Sequence, residues 1–155
     1  MAAHPPDPDP TRHGRLRPVA AWALDGRPPR GVPGAFGEPC ARVGRDLLRA
    51  PGTGVPSAGL RWDLSVDTPS GFMLGLATDT LRFALPADPA LPSGRLTSWV
   101  AEIVQDHLAG YEFFQWPACP GHPHLLKPVL TAGEARWCCP AGGHGQGLIG
   151  SLAAG

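Results

Sequence analysis

The sequence predicts an α+β fold: a three-stranded antiparallel meander packed by one helix, followed by a short β-hairpin that carries two Cys/His clusters. Three observations predict it. Apolar and polar residues alternate through three runs between residues 60 and 85. An apolar stripe at three- and four-residue spacing follows, from Leu96 to Tyr111. Beyond Trp116, cysteines and histidines gather in two proline- and glycine-rich turns.

Taken in order, residues 1–35 read as an extended or disordered arm rich in Pro, Gly and Arg. His4-Pro5-Pro6-Asp7-Pro8-Asp9-Pro10 removes amide donors at four of its seven positions and favours extended backbone. The apolar patch Val19–Leu24 interrupts this arm, and docking as a strand or short helix is its simplest reading. Residues 36–57 read as a short helix and linker. Val43, Leu47 and Leu48 give the helix a weak stripe, Gly44 weakens it, and Pro51–Pro56 follows as a breaker.

Residues 58–114 read as the α+β core. Leu60, Trp62, Leu64 and Val66 alternate with Arg61, Asp63, Ser65 and Asp67, the period of a strand with one buried face. Thr68-Pro69-Ser70-Gly71 has the residues of a type I turn. Phe72, Leu74 and Leu76, then Leu81, Phe83 and Leu85, continue the meander. The covering helix presents Leu96, Trp99, Val100, Ile103, Val104, Leu108 and Tyr111, with Thr97 or Ser98 as its cap and a break near Gly110.

Composition excludes several classes. The 21 glycines and 20 prolines, against 43% apolar residues, demand uneven spread. Only nine of them fall in residues 58–116, so the middle folds conventionally. The formal charge is zero, from 13 basic and 13 acidic residues, and no stretch is basic enough to track phosphates. There is no apolar run of membrane-spanning length and no signal-peptide pattern at Met1, so a cytoplasmic location is expected. In a reducing compartment Cys40, Cys119, Cys138 and Cys139 read as thiols or metal ligands rather than disulfides.

Residues 115–155 carry the chemistry. Cys119-Pro120-Gly121-His122 and Cys139-Pro140-Ala141-Gly142-Gly143-His144 flank two strand-like runs and a turn. A tetrahedral Zn²⁺ takes two soft or borderline ligands from each of two tight turns, and this arrangement makes the segment zinc-ribbon-like. The expected ligands are Cys119, His122, Cys139 and His144, with Cys138 and His124 as alternates. A segment with so little apolar material would draw folding energy from the metal.

Trp116-Pro-Ala-Cys-Pro-Gly-His122, Trp137-Cys-Cys-Pro140 and Leu148-Ile-Gly150-Ser-Leu152 together resemble the C-terminus of small uncharacterised proteins from actinobacteria. These combine W-P-x-C-P-x-H with W-x-C-P and end near I-G-x-L. The resemblance covers roughly residues 97–152, with Cys119, His122, Trp137, Cys139 and Ile149-Gly150 as matching positions. It implies a metal-binding C-terminus and no known activity. The pattern does not regularly include a second-turn histidine, which leaves the place of His144 open.

Other candidates read as structural. His107 beside Asp106 would be an acid–base pair, but helical neighbours point in different directions, and a histidine at the core boundary is the simpler reading. Trp62, Trp99, Trp116 and Trp137 read as core rather than as a stacking platform. Cys40 is isolated and inert, and no glycine-rich stretch matches a phosphate or dinucleotide loop. The sequence therefore predicts a non-enzymatic cytoplasmic protein with structural zinc that binds a macromolecular partner, most simply a protein. A metal-dependent hydrolase with an open zinc position is the alternative. Nucleic-acid binding through the knuckles is weaker still, since Lys127 and Arg136 are the only basic residues of that segment.

Overall fold

The computed structural model describes residues 16–49, 59–68, 71–80, 82–142 and 145–152. Strands β1 (Leu16–Ala23), β2 (Arg61–Asp67), β3 (Gly71–Ala77) and β4 (Arg82–Pro86) form one antiparallel sheet in that spatial order. Trp62 faces Leu76 and Leu64 faces Leu74 across β2 and β3, and all four are fully buried. This is the alternation read from the sequence. Each such side chain removed from water contributes roughly 1.5–3 kcal/mol.

The sheet has four strands where three were expected. The extra one, β1, pairs Trp22 with Trp62 and lies within residues 1–35, which read as an arm. Its apolar part lies in the Val19–Leu24 patch that read as docking chain, while the prolines before it gave no strand signal. Pro18 stands in an edge strand, beside a register shift between Pro18 and Ala20, where a missing amide donor is tolerated. Residues 1–15 lie outside the described residues, as do the linker positions 50–58.

Two helices pack on the sheet: the covering helix, and the short helix read within residues 36–57, which was not expected to share the core. Helix α1 (Gly37–Leu48) buries Cys40, Val43 and Leu47, and a short 3₁₀ turn before it buries Phe36 against Phe72, with ring centroids 5.8 Å apart. Gly44, which weakened the helix as a sequence signal, is explained by packing. A Cβ there would collide with the carbonyl of Leu24, the same oxygen that accepts a hydrogen bond from Trp62 Nε1 at 2.9 Å. Helix α2 (Ser93–His107) buries Leu96, Val100, Ile103 and Val104.

The ends of α2 differ from expectation. Its first turn begins at Ser93, after Pro92, rather than at Thr97 or Ser98, and Thr97 Oγ1 donates back to Ser93 O at 2.8 Å. At its end a π-helical turn, Leu108–Glu112, continues past Gly110. Phe113, with φ 56, closes it, and Phe114 N donates to Leu108 O at 2.9 Å. His107 is fully buried beside the Phe83 ring at 5.5 Å, deeper than the boundary position the sequence suggested.

The C-terminal hairpin is also larger than expected. β5 (Lys127–Thr131), β6 (Glu134–Cys138) and β7 (Gly145–Leu148) form a second antiparallel sheet with β6 in the centre. Ala132 (φ 50) and Gly133 (φ 81) link β5 to β6, the two left-handed residues a tight hairpin turn requires. Ala135 and Trp137 of β6 turn inward, and Trp137 meets Trp116 edge-to-face with centroids 5.3 Å apart. Among the described residues no helix is long and apolar enough to cross a membrane.

Candidate metal centre

The site begins as a turn. In Cys119-Pro120-Gly121-His122, proline holds the second position and Gly121, with φ 85, the third, the pattern of a type II turn. His122 N donates to Cys119 O at 3.3 Å to close it. The chain then doubles back: Cys119 N donates to His124 O at 2.9 Å, and Ala118 bridges Leu125. His122 and His124 consequently leave the same loop with their rings stacked, 5.1 Å apart and 10° from parallel. Cys139 reaches them from the end of β6, in a second turn where Gly142 N–H points at its Sγ from 3.4 Å.

These turns bring four donors together. Cys119 Sγ and Cys139 Sγ each lie 3.4 Å from His122 Nδ1, and His124 Nε2 lies 3.1 Å from Cys139 Sγ. All four donor atoms are within 4.8 Å of one another. An ion with metal–sulfur bonds near 2.3 Å and metal–nitrogen bonds near 2.0–2.1 Å needs sulfur–nitrogen edges of about 3.5 Å in a tetrahedron. The residues fit, and the group can hold a metal ion. Both cysteines are buried, His124 is half-buried and His122 is exposed.

The two thiols are electrostatically unlike. The hydrogen bond from His124 holds Cys139 down at about 6, helped by the amides of Gly142 and Ala141 and opposed by burial. Burial pushes Cys119 up, reinforced by its hydrogen bond to Cys139. A thiolate-stabilising pocket on one turn and a proton-retaining thiol on the other form a donor pair that a cation would complete. Cys40, by contrast, is pushed far up by burial in the core and lies outside the four-donor group.

Of the residues predicted from sequence, Cys119, His122 and Cys139 come together, and the alternate His124 supplies the fourth donor. His144 lies outside the described residues. Cys138 is the last residue of β6, paired with Lys127 and half-buried, and it stands apart from the four-donor group.

Two buried polar side chains that the sequence did not single out hold the turns in place. Gln105 of α2 donates through Nε2 to Leu126 O at 2.7 Å and to Trp116 O at 3.3 Å, bracketing the first turn. Asp46 of α1 is fully buried and accepts from Trp137 Nε1 at 2.8 Å, Gly150 N at 2.6 Å and Leu152 N at 3.0 Å. It thereby ties β6, two residues before Cys139, and the chain after β7 to the helical layer.

Comparison with protein-family profiles, curated proteins and solved structures finds no match for the chain.

Proposed function

We propose that this chain is a non-enzymatic cytoplasmic protein in which one structural Zn²⁺, held by Cys119, His122, His124 and Cys139 in a zinc-ribbon-like knuckle pair, shapes a surface for a protein partner. One observation carries the reading: two thiols and two imidazoles lie within 4.8 Å of one another. Two sulfur and two nitrogen donors are a zinc set, and four protein ligands fill a tetrahedron. A hydrolytic site keeps one position for water, so the fourth protein donor favours structural use over the hydrolase alternative. The Trp116–His122 and Trp137–Pro140 motifs support kinship with the small actinobacterial proteins they resemble. Phe113 and Leu130, 87% and 44% exposed, are apolar anchors of the kind protein interfaces bury. Nucleic acid is disfavoured, because Arg136 already pairs with Glu134 at 3.1 Å and leaves little free positive charge nearby.

Elemental analysis of protein purified without chelator tests the metal, with one zinc per chain expected and none sinking the site. Cobalt substitution tests its class. A tetrahedral spectrum with thiolate charge-transfer bands, unchanged by azide, is expected of a closed Cys₂His₂ centre. A spectrum that shifts as azide displaces water would restore the hydrolase.

A further inference from the structure

At the end of the four-stranded sheet marked by Gly71 and Pro86, two cavities adjoin through Leu91 and Trp99. The first, about 610 Å³, is lined mainly by Phe72, Pro86, Pro89, Leu91 and Trp99. The second, about 350 Å³, shares Leu91 and Trp99 and extends to Leu130. Trp99 is fixed in the wall by its Nε1–H, which donates to Pro86 O at 2.8 Å. An apolar groove walled by tryptophan, phenylalanine and proline is the surface on which extended, proline-rich chain packs with little entropic cost.

We propose that the groove is a binding site for the proline-rich segment His4–Pro10 of this same chain. Three observations support that occupant. The first is where the described chain begins: Leu16 pairs with Asp67, and Asp67 with Gly71, which lines the first cavity. Leu16 is therefore two strand spacings, roughly 10 Å, from the rim. The second is length, since the five residues from Thr11 to Arg15 span up to about 17 Å when extended. The third is charge order. Outward from Leu16 the sequence carries Arg15 and Arg12, then Asp9 and Asp7. Along the groove from the sheet end, Asp88 lines the first cavity, where Arg15 and Arg12 would lie, and the second cavity is lined by both Arg95 and Glu102, so the charge match is carried by the first cavity.

The inference does not depend on the metal. Its test uses the full chain with a photo-crosslinking benzoylphenylalanine in place of Thr11 or of His4. Mass spectrometry should find intrachain crosslinks from position 11 to residues 86–91 and from position 4 to residues 95–102 or 130. Leu91→Asp, at a half-buried loop position, should lower the yield about tenfold, the equivalent of one lost apolar anchor, with an unchanged circular dichroism spectrum. Arg95→Glu should lower the position 4 yield while sparing position 11. Crosslinks elsewhere on the chain, crosslinks only between two copies, or a yield indifferent to Leu91→Asp would each overturn the proposal.

Discussion

The two sheets of this molecule are held by different means. In the four-stranded sheet, Trp62, Leu64, Leu74 and Leu76 meet the apolar faces of α1 and α2, with a buried hydrogen bond, from Trp62 Nε1 to Leu24 O, inside that core. Among the described residues, the three-stranded sheet turns Ala135 and Trp137 of β6 inward, with Leu126 and Ile149 buried beside them. It is attached by Asp46, by Gln105 and by the Trp116–Trp137 contact, and its turns converge on four donors that could hold a metal ion. A short segment with few apolar side chains cannot offset the entropy of ordering its own backbone. The difference teaches where the donors that can hold a metal ion lie: beside the sheet that buries fewer large apolar side chains from its own strands.

The largest effect should therefore be selective. Cys139→Ser should reduce zinc from one per chain to almost none, because structural zinc contributes apparent binding energies on the order of 10–16 kcal/mol. Hydrogen exchange should accelerate throughout β5, β6 and β7 while the amides of β2 and β3 stay protected. Equal loss of protection in both sheets would show that they form one cooperative unit.

Asp46→Ala attacks the seam between the two regions. It strands the N–H groups of Trp137, Gly150 and Leu152 in the interior and should cost about 3 kcal/mol, read as a shift in the denaturation midpoint. Metal affinity should fall with it, since Trp137 positions Cys139. Asp46→Asn retains an acceptor oxygen and should recover part of the loss. An unchanged midpoint would mean that the second sheet is anchored by its aromatic contacts alone.

A smaller effect belongs to the first region. Gly44→Ala pushes a methyl group into the carbonyl of Leu24 and should destabilise by about 2 kcal/mol, as overpacking does. Zinc content should not change. A stabilising outcome would show that α1 can shift away from Leu24 without disturbing the Trp62 hydrogen bond.

What the sequence made legible follows the same division. Local periodicity displayed β2, β3, β4 and α2, because alternation and the three-four stripe are properties of neighbouring residues. The Cys/His spacing displayed Cys119, His122 and Cys139, three of the four donors that come together. Long-range packing left no such trace. Asp46 meets partners 91 to 106 positions away, and nothing around it in sequence separates it from a solvated helix acid. Gln105 is hidden in the same way. β1 was legible in part: its apolar patch Val19–Leu24 read as docking chain, while Pro18 and the proline-rich run before it resemble unpaired chain, and Pro18 is acceptable in the strand because β1 lies at the edge. Gly44 carried a signal of opposite sign, unfavourable to a helix locally and required by the helix's neighbour.

The smallest expected effect decides between two histidines. His124 sits two residues beyond His122, on the far side of Pro123, and the backbone bond from Cys119 N to His124 O folds it back toward the cysteines. The sequence pattern, counting ligands in symmetric pairs from two turns, favoured His144 instead. With Cys119, His122, His124 and Cys139 already grouped, a fifth donor has no tetrahedral position to occupy. His144→Ala should leave zinc content and affinity unchanged in a competition titration against a chromophoric chelator. His124→Ala should weaken binding by at least about a hundredfold, the scale expected when a first-row ion loses a donor and its ordering contacts. The reverse result would reassign the fourth ligand to the second turn and make the symmetric count from sequence the better guide.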